Sequence, residues 1–209
     1  MGNKLWLTLV LVSLAVPCMG QQRAGRSVDH EVFTDKTAFL AAVGEVVLQG
    51  FESYPTNECS SGGPSPATSL ESESFTVTTV PAAGGSSFLC TGTTVGGSPG
   101  PTDGNNALIA GSFSGGSSSL WTLDFVLTRK PAHAVGFFLT DAAERGDAIF
   151  VTSAGDEIVM ARCCRDPRFD DPVFFGLVSK KKFRSFQLRN TGISDGWGID
   201  EVMLVIDGR

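Results

Sequence analysis

An all-β fold is predicted from this sequence: an antiparallel two-sheet β-sandwich of jelly-roll type with one short N-terminal helix. Three observations predict it. Brief runs alternate apolar and polar side chains, most clearly Trp121-Thr122-Leu123-Asp124-Phe125-Val126-Leu127-Thr128, the period-2 signature of a strand with one face packed. Turn residues, among them 25 glycines and 10 prolines, separate these runs, as sandwiches require. The chain also finishes on Asp200-Glu201-Val202-Met203-Leu204-Val205-Ile206, a closing strand that needs earlier strands to join. The strands alternate rather than running solidly apolar, so the sheets are expected to be antiparallel with one face packed.

In chain order, residues 1–20 stand apart. Lys4 precedes an apolar run from Leu5 to Val16, and Pro17-Cys18-Met19-Gly20 offers a small residue before Gln21. This pattern predicts a secretory signal peptide cleaved near Gly20, because the run is shorter than the roughly 20 apolar residues of a membrane-spanning helix. No membrane span is expected after cleavage. Residues 21–32 read as a flexible polar leader and residues 33–209 as one sandwich domain, a length able to bury a sizeable core.

Residues 34–44 predict the helix, with Thr34 as cap, Asp35 at the positive end of the dipole and Gly44 as the left-handed exit. A first strand is expected over 46–52, then a loop to about residue 69. Further strands are expected at 75–79, 86–91, 107–110, 121–128 and 134–140. A hairpin follows over 148–161 around Ser153-Ala154-Gly155-Asp156, and 173–178 with 183–188 reads as another pair. The last strand runs from Asp200 to Ile206. Gly196-Trp197-Gly198 before it reads as a turn.

Composition narrows function. Apolar residues are 42% of the chain and charged ones 18%, which argues against extended disorder. The formal net charge is -6, and -7 once Lys4 leaves with the signal. An acidic chain without a basic stripe is a poor match for nucleic acid. Lys180-Lys181-Lys182 reads as a solvated edge or turn.

Four cysteines remain after cleavage, Cys59, Cys90, Cys163 and Cys164. In a secreted chain they predict two disulfides with three possible connectivities. One choice is Cys59–Cys90, closing a glycine-rich loop and worth about 3–4 kcal/mol by loop entropy, with a strained vicinal Cys163–Cys164 bridge. The other choices pair Cys163 and Cys164 each with one of the remaining two.

Catalysis is not expected. Only His30 and His133 could serve as imidazole bases, and neither sits in a nucleophile motif. Glu71 and Glu73 read as edge charges rather than a glycosidase pair. The acids suit calcium, which takes oxygen ligands and pins strand ends: Glu52, Asp141, Asp195 and Asp200 are the candidate ligands. For sugar binding, an exposed aromatic beside polar groups is the useful feature. Trp197 and Tyr54 are the candidates, with a core plug as the other reading of Trp197, while Trp121 is expected in the core.

Phe33-Thr34-Asp35 with Phe39-Leu40-Ala41-Ala42 and Gly50-Phe51-Glu52 resembles the opening of secreted β-sandwich domains that precede PEP-CTERM sorting signals. Gly104-Asn105-Asn106-Ala107-Leu108, Gly136-Phe137-Phe138-Leu139-Thr140-Asp141, Phe174-Phe175-Gly176 and Gly198-Ile199-Asp200-Glu201-Val202 resemble their later segments. The chain departs from them at Glu201, where a second aspartate is common, and in ending at Arg209 without the sorting tail. The resemblance implies an extracellular sandwich shaped like carbohydrate-binding modules. The expectation is therefore a secreted, non-catalytic module for extracellular or surface glycans, stabilised by calcium. The alternatives are a matrix or adhesion protein that binds protein surfaces, and an enzyme that degrades polysaccharide with two acids.

Overall fold

The computed structural model describes residues 29–54, 68–81, 87–92, 106–112, 121–140, 148–160, 172–190 and 196–206. Its elements in chain order are β1 (His30–Phe33), α1 (Lys36–Val43), β2 (Val47–Gln49), β3 (Ser69–Glu71), β4 (Phe75–Pro81), β5 (Ser87–Gly92), β6 (Ala107–Ser112) and β7 (Trp121–Leu127). β8 (Ala132–Thr140), β9 (Ala148–Thr152), β10 (Glu157–Val159), β11 (Val173–Phe183), β12 (Ser185–Asn190) and β13 (Gly196–Ile206) complete it.

Among the described residues the strands make two antiparallel sheets. One has the order β1-β11-β8-β13-β6-β5 with β2 also on β13, and the other has the order β10-β9-β12-β7-β4-β3. From β6 onward the chain passes repeatedly between sheets, β7 to β8 to β9, then β10 to β11 to β12 to β13. This crossing is the jelly-roll habit, and it places the apolar face of each sheet against the other. The alternation read from the sequence is what fills that interior. Trp121, Leu123, Phe125 and Leu127 point inward from β7, and Phe75 and Val77 from β4. Phe186 and Leu188 of β12 share this interior with Val135, Phe137 and Leu139 of β8. Phe125 and Phe186 stack at 4.5 Å between ring centres, and Phe150 lies 4.9 Å from Phe175.

A second, smaller apolar cluster lies on the far side of the seven-stranded sheet, where α1 packs. Asp35, rather than Thr34, caps the helix: its carboxylate accepts a hydrogen bond from the Ala38 amide at 2.7 Å. Gly44 ends the helix at φ 75°, its N–H donating to the Leu40 carbonyl. Phe39 is fully buried beneath the helix. Its ring lies over the paired glycines Gly136 and Gly176, where an added Cβ would come within 2.9 and 2.7 Å of it.

β13 organises the larger sheet. Along one edge it pairs with β8, while its other edge is shared: Gly196–Ile199 pair with β6 and Val202–Leu204 with β2. The change of partner falls at Asp200-Glu201. One extra residue is accommodated there between the pairs Asp200–Phe138 and Met203–Gly136, which is a β-bulge. Glu201 takes φ 51°, a left-handed conformation uncommon for a side-chain-bearing residue. Its carboxylate forms an ion pair with Lys36 of α1, so the helix fastens the fork.

Several expectations need correction. Residues 30–32 are not part of a leader, because β1 pairs with β11 from His30–Ser179 to Phe33–Gly176. The closing strand begins at Gly196, not Asp200, since Gly196-Trp197-Gly198 lie opposite Gly111, Ala110 and Ile109. The first strand is shorter than 46–52, because residues 51–53 turn away. β11 and β12 are consecutive but belong to different sheets, so they are not a hairpin. The sequence assigns no element between the loop ending near residue 69 and the strand at 75, whereas β3 forms there and pairs with β4. The signal segment 1–20 lies outside the described residues.

Candidate functional site

The expected sugar platform is absent at Trp197, whose side chain is 2% exposed. It packs edge-to-face on Trp121 with ring centres 4.7 Å apart. The opposite residue, Ala110, is small enough to leave room for the indole in the interior. Tyr54 is half-buried, with its ring against Phe51 and its hydroxyl donating to the Glu71 carbonyl at 2.9 Å. Burial pushes its phenol above the ordinary range, the nearby Glu73 carboxylate adds to the effect, and a hydrogen bond with Ser72 opposes it. Tyr54 therefore clamps the 51–54 turn to β3.

The candidate calcium ligands are only partly described. Glu52 accepts a hydrogen bond from the Asn106 amide at 2.8 Å, and the Asn106 side chain donates to the Tyr54 carbonyl at 3.0 Å. Asp200 is fully buried in the middle of β13, accepting from the Glu201 amide at 2.8 Å. Asp141 and Asp195 lie outside the described residues. Among the described residues no three histidine, cysteine, aspartate or glutamate side chains are grouped to hold a metal. Cys90 is buried on β5, and Cys59, Cys163 and Cys164 lie outside the described residues.

A polar cluster missed by sequence reasoning joins the two sheets. Asp156, 6% exposed in the β9–β10 turn, accepts from Thr152 at 2.8 Å and Ser179 at 2.9 Å, and His30 Nδ1 lies 3.2 Å from its other oxygen. The residue types are those of a hydrolase triad, but the order is wrong. A triad places the imidazole between hydroxyl and carboxylate. Here the carboxylate sits between them, so no imidazole is placed on the Ser179 hydroxyl, and the cluster reads as a tie between β1–β11 and β9–β10.

The outer face of the six-stranded sheet is different. Residues that alternate with the core face outward from β4 (Thr76, Thr78, Val80), β7 (Thr122, Asp124, Val126) and β12 (Ser185, Gln187, Arg189). Register sets Thr78, Asp124 and Gln187 in one row across the strands, with Val80, Thr122 and Arg189 in the next. Gln187 donates to Asp124 at 3.4 Å, while Arg189 Nε and Nη2 donate to the Gln187 amide oxygen at 3.0 and 2.8 Å. The amide is thus oriented from both sides. The ladder presents guanidinium donors at one end and a carboxylate acceptor at the other. Val80 and Val126 are 49% and 48% exposed beside it, whereas the corresponding face of the other sheet carries α1. Alternation alone could have placed these side chains outward, but only the strand register brings Asp124 next to Gln187.

No family model matches the chain, and no curated protein matches it. Solved structures do resemble it. The K2 cleaved adhesin domain of Lys-gingipain aligns at 12% identity and TM-score 0.47, covering 78% of this chain and 100% of that one. The enzymatically active domain of bacteriophage CBA120 tailspike protein 4 aligns at 13% and 0.39, covering 64% of this chain and 19% of that one. The family 11 carbohydrate-binding module from Clostridium thermocellum, solved with a β-1,3-1,4-mixed-linked tetrasaccharide, aligns at 10% and 0.36, covering 66% and 94%. At such identities and scores these likenesses carry no argument about what this chain binds. Among the described residues no helix is long and apolar enough to cross a membrane.

Proposed function

We propose that this chain is a secreted, non-catalytic binding module that takes extracellular or surface glycans on the outer face of the six-stranded sheet. The observation that carries the reading is the ladder Arg189–Gln187–Asp124, held on a rigid sheet by its own hydrogen bonds. Sugar hydroxyls are both donors and acceptors, and they cluster in neighbouring pairs. Planar groups fixed in advance can bind such pairs without ordering long side chains anew. Threonine hydroxyls on β4 and β7 extend the polar surface, and Val80 and Val126 give apolar contact for sugar C–H faces.

The test is a glycan array with the purified chain, followed by titration of the best ligand. Asp124→Ala, Gln187→Ala and Arg189→Ala are each expected to weaken binding roughly tenfold, about 1.4 kcal/mol, with melting temperatures near the parent's. An array without a hit, or variants that bind as the parent does, would remove the reading. The exposed Val80 and Val126 favour a second reading, a matrix or adhesion role in which the same face meets a protein surface. Under that reading, charged substitutions at the two valines would abolish partner capture while the array stays blank.

Secretion is supported by Lys4 and the apolar run before Gly20, and N-terminal sequencing of exported protein should begin at Gln21. Calcium belongs to the same proposal. Its support is the pairing of β2 with β13, which brings the segment leading to Glu52 beside the strand that holds Asp200. Calcium is expected to raise the melting temperature and EDTA to lower it, and no shift in either would end that part. The four cysteines are proposed to form two disulfides, to be mapped on non-reduced peptides.

A further inference from the structure

Strand register sets the outer face of the six-stranded sheet in rows that run across the strands. One row is Glu157–Val151–Gln187–Asp124–Thr78–Ser69, from β10 to β3. Residues directly opposite each other in an antiparallel pair share a face, so the whole row points outward with Asp124 and Gln187. In the next row Ile149 of β9 and Val80 of β4 stand on either side of Arg189 and Thr122. In the row beyond, Glu71 of β3 stands opposite Thr76, which is outward on β4. Three carboxylates therefore share this face, Asp124 at its centre and the exposed Glu157 and Glu71 toward two of its edges. Arg189 is the one cation among the described residues of the face. Its Nε–Nη2 edge is taken by the Gln187 amide oxygen, which leaves less of the fork for an incoming carboxylate. The cations at the end of the sheet do not alter this balance. Lys180 alternates with Val178 on the helix side of the other sheet, and Arg184 lies opposite the core residue Leu127.

The face thus holds a surplus of negative charge in a chain whose net charge is -6. An anionic polymer laid on it meets like charges, which is how an interface rejects a wrong partner. Apolar groups flank the polar centre, Ile149 and Val151 of β9 on one side, Val126 of β7 and Val80 of β4 on the other. Among the described residues no aromatic faces outward from these strands. No single sugar ring is gripped by stacking there, so contact has to be spread over several strands. Neighbouring strands lie about 4.8 Å apart, and a row of six spans roughly 24 Å. We infer that the ligand is a neutral polysaccharide lying across the strands. Its hydroxyls meet the Asp124–Gln187–Arg189 ladder, and its C–H faces meet Ile149 and the valines to either side. Glu71, Asp124 and Glu157 exclude acidic chains. The inference rests on the glycan reading above and adds the charge and the direction of the ligand.

The test begins with an array that carries β-glucan, galactomannan and xyloglucan beside hyaluronan and polygalacturonate. Hits are expected among the neutral chains alone. The strongest is then titrated in three forms: untreated, with its primary hydroxyls oxidised to carboxylates, and with those carboxylates methyl-esterified. At low ionic strength the oxidised form is expected to bind roughly tenfold more weakly than the untreated one, and the ester to recover. Added salt should narrow the gap, because exposed charges are screened. Glu71→Gln/Glu157→Gln should narrow it as well, read as the ratio of the two affinities. Val80→Thr and Ile149→Thr, on opposite sides of the ladder, should each weaken neutral binding a few-fold, as a chain that crosses the strands requires. Hits on hyaluronan or polygalacturonate, or an oxidised form that binds as the untreated one does, would overturn the inference and leave the glycan reading standing. So would an ester as weak as the acid, a gap that ignores the double variant, or full affinity in Val80→Thr or Ile149→Thr. An array without a hit would defeat the inference together with the reading it rests on.

Discussion

Gly136 and Gly176 occupy the space in which Phe39 sits, and they show what single residues contribute here. An alanine at Gly176 would place its Cβ 2.7 Å from the Phe39 ring, against a ring that is itself fully buried. Gly176→Ala is expected to destabilise by about 1–3 kcal/mol through overpacking, read as a lower urea midpoint. At Gly92 the nearest atom is the tip of Ile109 at 3.3 Å, a flexible end that can yield, so Gly92→Ala should change the midpoint far less. Glu201 gives a second contrast. Glu201→Ala keeps the left-handed backbone and loses the Lys36 partner, whereas Glu201→Gly loses the partner but relaxes the backbone. Alanine should therefore be the more destabilising of the two.

Tyr54 is the chain's single tyrosine, so its phenolate can be followed by ultraviolet absorbance without overlap from another. Its titration should lie above the ordinary value of 10.0, chiefly because burial disfavours the anion. A folded pKa above the unfolded one means the contribution is present below pH 10 and is lost as pH rises through the folded value. Tyr54→Phe should then lose less stability on that alkaline side than the parent does. A normal titration would show that Tyr54 is not held in its half-buried place beside Phe51 and Glu73. None of these residue effects is legible in the sequence, where Gly136 and Phe39 are merely a strand glycine and a helix phenylalanine.

At the scale of elements, legibility followed local chemistry. Strong alternation in 121–127 and the turn residues of 153–156 made β7 and the β9–β10 hairpin readable, as the Gly44 exit did α1. β1 was hidden because His30-Glu31-Val32-Phe33 is short and half polar. The start of β13 was hidden because two glycines flank Trp197, and only the sheet pairing overrides their preference for turns. The same glycines leave Trp197 readable as a platform in a turn as well as a core plug, and the sheet pairing puts it in the interior. The helix is tied to β13 by Lys36–Glu201 and to β8 and β11 through Phe39. Phe39→Ala should cost about 3–5 kcal/mol, enough to lower the whole transition rather than only the helix signal in circular dichroism.

For the whole molecule, what matters is that the two sheets differ in what covers them. The seven-stranded sheet has α1 on its outer face, and β13 serves three partner strands within it. The six-stranded sheet turns Asp124, Gln187 and Arg189 outward beside exposed valines. The sandwich class was legible because alternation is local. The ladder was not, because it is made by strands distant in sequence whose register no single segment encodes.

The most direct measurement is amide chemical-shift mapping of the isotope-labelled chain during titration with the best ligand from the glycan array. The account predicts shifts concentrated on Thr122–Val126 and Ser185–Arg189, with α1 and β2 unmoved. Shifts confined to α1, β2 and the outer face of the seven-stranded sheet would contradict it.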